Sequence, residues 1–161
     1  IPNPQKVMEI NIKKKFGIFM QKCFCYKFNL FNRFESPWEG TRVCKFKNLK
    51  SINYMRQKIL SKNLYSPFWK FYKNKNIELI NDGGWHFNNL LNPNEISVKL
   101  KTFAHKEFST SEYADTKIIE ENILKGRDLF KRGWKFEKIE VDKTFPTYIY
   151  NNKTTLKDWI L

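Results

Sequence analysis

The apolar positions along the chain recur with two periods, and the switches between them mark out the elements. Tyr26, Phe28 and Leu30 alternate with Lys27 and Asn29, the period of a strand whose side chains face opposite sides in turn. The Phe-, Cys- and Tyr-rich stretch from Gly17 to Phe34 is therefore read as strand-like. Pro37-Trp38-Glu39-Gly40 predicts a turn and Thr41 to Phe46 a second strand, a hairpin partner or neighbour of the first. Ile52, Met55 and Ile59 are spaced i, i+3, i+7, which predicts an amphipathic helix from Ser51 to about Lys62. Ile77 to Ile80 is a short apolar run, the pattern of a buried strand, and it leads directly into Asn81-Asp82-Gly83-Gly84-Trp85-His86-Phe87.

Helix signals bracket these runs. Pro4 suits a first helical turn, with Val7, Met8 and Ile10 as apolar positions, so a short helix is expected from Pro4 to about Lys15. Asn92, Pro93 and Glu95 form a cap, first-turn proline and capping-box acid ahead of Ile96, Leu100 and Phe103. Ser109 and Glu112 suggest a second box ahead of Ala114, Ile118, Ile119 and Ile123, with Gly126 as the breaker. Lys135 to Val141 and Thr147 to Tyr150 read as short strands or extended loops, and Thr154 starts a terminal helix. Strands alternating with helices give an α/β class.

Composition narrows the picture. The chain has 161 residues, a formal charge of +14, 41% hydrophobic and 17% aromatic residues. That is material for a single domain with a core rather than a disordered chain. There is no apolar run of about 18 residues, so no membrane-spanning helix is expected, and no secretory leader is visible. Lysines outnumber arginines 25 to 5, with 17 Asn and two Ala. This bias matches AT-rich coding more than a surface chosen for nucleic acid, where arginine forks would meet phosphates and guanine edges. Cys23, Cys25 and Cys44 are an odd set without framework spacing, read as reduced, buried or half-buried thiols. Starting at Ile1 and ending at Leu161 within an expected helix, the chain is expected to be part of a longer protein.

The candidate chemistry sits after the Ile77 to Ile80 strand, where α/β folds place ligands. Gly83 and Gly84 permit close approach of a backbone to a ligand. Asp82 can accept a proton or hold a hydroxyl, His86 can ligate a metal or bond a phosphate, and Trp85 offers a flat face to a sugar. A tight turn with Trp85 in the core and His86 bonded to backbone is the competing structural reading.

Asp82-Gly83-Gly84-Trp85-His86-Phe87-Asn88-Asn89-Leu90, with Glu95-Ile96, Lys99-Leu100 and Phe103-Ala104-His105-Lys106-Glu107-Phe108, resembles glycosyltransferase family 17. That family includes the β-1,4-mannosyl-glycoprotein β-1,4-N-acetylglucosaminyltransferases. Ile1-Pro2-Asn3-Pro4 resembles the residues following the family's Ser-Asp-x-Asp-Glu carboxylate motif. Pro37-Trp38-Glu39-Gly40-Thr41 resembles its central turn. Gly126-Arg127-Asp128-Leu129-Phe130 and Pro146-Thr147-Tyr148-Ile149 resemble its C-terminal part.

The resemblance implies that residues 1–161 are the C-terminal part of one catalytic domain with a GT-A-like, Rossmann-type α/β fold, incomplete at its N-terminus. It implies inverting transfer of N-acetylglucosamine from UDP-N-acetylglucosamine to a sugar hydroxyl of a glycan or glycoconjugate, assisted by Mn²⁺ or Mg²⁺. Asp82 is then the candidate base and His86 the candidate metal or diphosphate contact. Trp85, Gly83, Gly84, Trp38 and Glu39 are candidate substrate contacts. Arg127, ahead of Lys99, is the candidate partner for diphosphate. His105 and Glu107 could pair or line the site, or could be a helix-end pair tied to backbone. The metal-holding carboxylates would precede Ile1, so the chain alone is expected to be inactive. A bacterial or viral relative would be cytoplasmic.

The rival reading is a basic nucleic-acid-binding module. Phe68, Trp69, Phe71 and Tyr72 are interleaved with Lys70, Lys73 and Lys75 in the loop at 66–76, a pattern able to stack bases and meet phosphates. The preferred expectation for this loop is a lysine-rich surface with its aromatic rings packed inward, and no nucleic-acid partner.

Overall fold

The computed structural model describes residues 1–102 and 106–161; Phe103, expected on a buried helix face, and Ala104 and His105 lie outside the described residues. Six strands, β1 (Phe16–Cys25), β2 (Leu30–Phe31), β3 (Trp38–Cys44), β4 (Ile77–Ile80), β5 (Trp85–Asn88) and β6 (Glu137–Lys138), are interspersed with helices. The helices are α1 (Pro4–Met8), α2 (Ile52–Lys58), α3 (Pro93–Thr102), α4 (Ser111–Ala114), α5 (Thr116–Leu124) and α6 (Thr147–Asn151). The fold is mixed α/β. The chain gathers into two units, residues 1–22 with 37–86, and residues 23–36 with 87–161. Among the described residues no helix is long and apolar enough to cross a membrane.

In the first unit, β1 is central because both of its faces are apolar; Phe16, Ile18 and Phe19 are all buried. It pairs antiparallel with β3, Phe16 opposite Cys44 and Gln21 opposite Trp38, with an irregularity between Ile18 and Met20. It pairs parallel with β4, Phe16 opposite Ile77 through Phe19 opposite Ile80. The sheet is therefore mixed, whereas the expected Rossmann-type layer rests on parallel strands. Ser51 caps α2, its Oγ accepting from Tyr54 N at 3.0 Å. The helix stops four residues before the expected Lys62. Ile59 turns to extended backbone there and buries completely beside Phe16, Ile18, Met55 and Ile77. Likewise α1 ends at Met8 rather than near Lys15, with no buried residue to hold a longer helix in place.

In the second unit, the expected strand through Tyr26, Phe28 and Leu30 is broken by a turn at 26–29, and Leu30 opens β2. Tyr26 has φ +67°, and Lys27 N donates back to Cys25 O at 2.8 Å. The alternation reflects burial on both sides of that turn: the Tyr26 ring is buried and its hydroxyl accepts from Leu129 N at 3.3 Å. The Asn92 capping box forms as expected, Glu95 N to Asn92 Oδ1 and Asn92 N to Glu95 Oε2, both 2.9 Å.

The helix expected from Ser109 is instead two. Asp115, in extended backbone, separates α4 from α5 and caps α5, its Oδ1 accepting from Lys117 N and Ile118 N. Ile119, Ile123 and Ala114 are buried as expected and pack with Ile96 and Leu100, but Ile118 faces outward. Residues 147–151 form α6 instead of a strand or extended loop, and after 154 only a short 3₁₀ turn, Lys157–Trp159, appears. Within Lys135 to Val141 the strand is confined to β6, which pairs antiparallel with β2.

Candidate functional site

Folding of the first unit opens a cleft of about 850 Å³ between β3, α2 and their neighbours. Its lining includes Ile1, Gln21, Trp38, Glu39, Arg42, Arg56 and His86. Two segments singled out in the sequence meet here. Trp38 opens β3, His86 lies in β5, and their rings stack with centroids 4.5 Å apart and planes 10° from parallel. Leu49, Ile52 and Met55 add an apolar shelf. An aromatic pair beside an apolar shelf and two guanidinium groups suits a ligand with a flat or sugar-like face and an anionic group.

Glu39 is committed to holding the cleft together. Its carboxylate accepts from Ser61 Oγ at 2.5 Å and from Ser61 N at 3.2 Å. Arg42 lies 3.4 Å away and donates to the carbonyls of Glu39, Gly40 and Ile59 at 2.7–3.0 Å. Burial lowers the Arg42 pKa; the Glu39 charge opposes this and Arg56 adds to it. An anion in the cleft would offset that crowding of positive charge. Gln21 belongs to no motif. It is buried against Gly40, where a Cβ would fall 1.9 Å from Gln21 Oε1, and its Nε2 has no hydrogen-bond partner among the described residues.

The Asp82-Gly83-Gly84-Trp85 segment owes its residue types to packing. Gly83 N donates to Met20 O at 2.8 Å, and a Cβ on Gly83 would lie 2.8 Å from the backbone of β1. Gly84, at φ +126°, lies against Ile1 to Asn3: Trp85 N donates to Ile1 O and Asn3 N to Gly83 O, both 2.9 Å. The close approach expected of a ligand is thus made by the chain's own first residues. Trp85 is buried and is not among the residues lining the cleft; Trp38 supplies the aromatic face there instead. Asp82 is exposed on the turn at φ +50°, a conformation Asp tolerates, and also lies outside the cleft lining. Of the sequence-predicted residues, the cleft therefore gathers Trp38, Glu39 and His86.

The remaining candidates belong to the second unit. Arg127 is exposed and bridges backbone to Lys135. Lys99 Nζ donates to Asn89 Oδ1 at 2.6 Å. Glu107 lies in a short 3₁₀ turn (Lys106–Phe108), and His105 is outside the described residues.

A hard divalent cation needs several converging oxygen ligands. Among the described residues, the one convergence of three potential ligands is Cys23, Cys25 and Glu35, their ligand atoms all within 4.8 Å of one another. Two sulfurs and one carboxylate do not suit Mn²⁺ or Mg²⁺, and His86 belongs to no such set. The described residues do not fit the cation that the resemblance implies.

This cluster has a structural account. Asn32 is buried; its Nδ2 donates to Glu35 Oε2 at 2.9 Å and to Cys25 Sγ at 3.6 Å, while its Oδ1 accepts from Phe34 N and Glu35 N. The hydrogen bond to Cys25, burial and the Glu35 charge hold the Cys23 thiol far above its ordinary value of 9.0. In the unfolded chain that thiol ionises from about pH 9, whereas in the native state it stays protonated. The stability it contributes is therefore present below pH 9 and lost as pH rises, at about 1.4 kcal/mol per unit. Urea unfolding between pH 8 and pH 10 should show this loss, and Cys23→Ala should flatten the slope; equal slopes would refute the assignment.

In comparisons with known proteins, no family model matches the chain, and no curated protein or solved structure matches it.

Proposed function

We propose that the cleft is the nucleotide-sugar site of a family 17-type glycosyltransferase, which moves N-acetylglucosamine from UDP-N-acetylglucosamine to a sugar hydroxyl of a glycan or glycoconjugate with inversion. The observation that carries this reading is the meeting of Trp38 and His86, from two motifs of the resemblance, as a stacked pair beside Arg42 and Arg56 in one cleft. The ring pair would receive the sugar or base, and Arg56 the diphosphate, with Arg42 fixed by its carbonyl contacts as the supporting charge. On this reading the mixed sheet is the C-terminal portion of a GT-A-like, Rossmann-type domain, with β1 and β4 its parallel pair.

Deprotonation of the acceptor hydroxyl needs a general base, and the resemblance implies a carboxylate. Glu39 is held by Ser61 and Arg42; the resemblance offers Asp82 for this role, exposed on the turn four residues before His86 and outside the cleft lining.

Titration calorimetry of the full-length protein with UDP-N-acetylglucosamine tests the reading. Binding is expected, and Trp38→Ala and Arg56→Ala should each weaken it by about tenfold or more, the scale of one lost stacking or charged contact. Asp82→Asn should leave donor affinity unchanged while lowering transfer to acceptor by about 10²-fold or more. Absence of donor binding would overturn the assignment, and unchanged transfer by Asp82→Asn would remove that residue from the mechanism.

A further inference from the structure

The loop at 66–76 departs from its expected form. Phe68, Trp69, Phe71 and Tyr72 are 62–86% exposed rather than packed inward. The backbone explains how. Lys70 N donates to Pro67 O at 3.1 Å and Lys73 N to Lys70 O at 2.9 Å, so two turns follow one another. Each turn places two aromatic residues at its corner positions and a lysine at its end, Pro67-Phe68-Trp69-Lys70 and then Lys70-Phe71-Tyr72-Lys73. Four large apolar rings held outward within five residues are costly to leave in water. The charge around them has one sign: between Glu39 and Glu78 the chain carries ten lysines and arginines and no acidic residue.

We propose that this double turn is an interfacial anchor that seats the protein on an anionic lipid surface. Phe68, Trp69, Phe71 and Tyr72 would enter the headgroup–acyl boundary, and Lys70, Lys73 and Lys75 would meet the lipid phosphates. Aromatic side chains with polar edges are suited to that boundary, and lysine stems can lie along apolar material with the ammonium at the surface. Single-stranded nucleic acid fits less well. The Phe68 and Trp69 rings meet edge to face at 81°, so they do not offer parallel faces to successive bases. A face of Tyr72 is covered by Lys73 Nζ at 5.4 Å. The loop also contains no arginine.

Co-sedimentation of the full-length protein with phosphatidylcholine vesicles, with and without about 30% phosphatidylglycerol, tests this. Three lysines near an anionic surface predict partitioning about 100-fold stronger than to neutral vesicles at low salt. The combined variant Phe68→Ser, Trp69→Ser, Phe71→Ser, Tyr72→Ser should lose at least about tenfold of that binding, with its melting temperature unchanged because these rings support no core. Brominated lipids should quench part of the wild-type tryptophan emission, and Trp69→Phe should abolish that part. The proposal is overturned if anionic vesicles do not bind. It is overturned equally if the four-residue variant binds them as well as wild type, which would leave charge alone. Steeply salt-dependent binding of a single-stranded oligonucleotide, lost in that variant while vesicles stay unbound, would assign the loop to nucleic acid instead.

Discussion

Replacing Gly84 by alanine is expected to destabilise the first unit by about 3–5 kcal/mol, the range reached when backbone strain and a steric collision coincide. The backbone at φ +126° is one that a residue with a Cβ rarely adopts. The added methyl would also stand 2.2 Å from Ile1 O, 2.6 Å from Asn3 N and 2.8 Å from the Pro2 carbonyl carbon. These are main-chain atoms, so no side-chain rotation relieves the clash. The simplest relief is separation of residues 1–3, at the expense of the Trp85 N to Ile1 O and Asn3 N to Gly83 O bonds. Gly133 is the control: its φ is +77°, but a Cβ there meets nothing within 4 Å. Gly133→Ala should therefore cost only about 1 kcal/mol, the conformational part alone. Urea unfolding compares the two, and amide exchange at Asn3 and Trp85 should accelerate in the Gly84 variant. Equal costs at both glycines would show that close approach adds nothing. Because Ile1 lines the cleft, the Gly84 variant should also bind a cleft ligand more weakly.

That same glycine shows what the sequence discloses and what it hides. A Gly-Gly pair after a buried strand signals unusual backbone, and the structure has it. What comes close to the pair could equally have been a ligand or the chain itself, because the glycine requirement is the same in both cases. Helix caps were legible where the signal is local. Asn92 and Glu95 satisfy each other across three residues, and nothing distant is needed. The helix expected from Ser109 is divided because Asp115, with two amide donors within reach, caps a second helix that the pattern did not weigh. The period-two run at Tyr26 failed for the opposite reason. Burial on both sides of a tight turn gives apolar residues without a strand, and the contact that fixes it, Tyr26 to Leu129, spans 103 residues. In the cleft, Trp38 and His86 could be marked singly, but their stacking follows from two strands being placed by β1. Gln21 and Ser61 carried no motif at all. Their roles, facing Gly40 and holding Glu39, exist only once β3 lies against β1 and the chain after α2 returns to it.

In the second unit the largest expected loss is Phe24→Ala, at about 3–5 kcal/mol. Phe24 is fully buried. Its ring contacts Phe31 at 5.7 Å, edge to face, and Phe87 at 5.4 Å and Phe145 at 5.2 Å in stacked and tilted arrangements. Truncation removes the transfer term of one ring and leaves a void that the surrounding aromatic rings cannot easily fill, since planar side chains collapse poorly into a ring-shaped gap. It also removes three ring–ring contacts, each worth about 0.5–1.5 kcal/mol beyond area burial. Phe24 stands opposite Phe31 in the β1–β2 pair, so the loss falls where the tight turn at Tyr26 must close. For a chain of this length the cost corresponds to a melting-temperature drop of roughly 10–15 °C. Phe24→Leu, which keeps most of the volume, should cost less than about 2 kcal/mol. A Leu variant as destabilised as the Ala variant would mean that ring geometry, not filled volume, holds this cluster. An Ala variant within about 1 kcal/mol of wild type would mean that the three neighbours close the gap themselves.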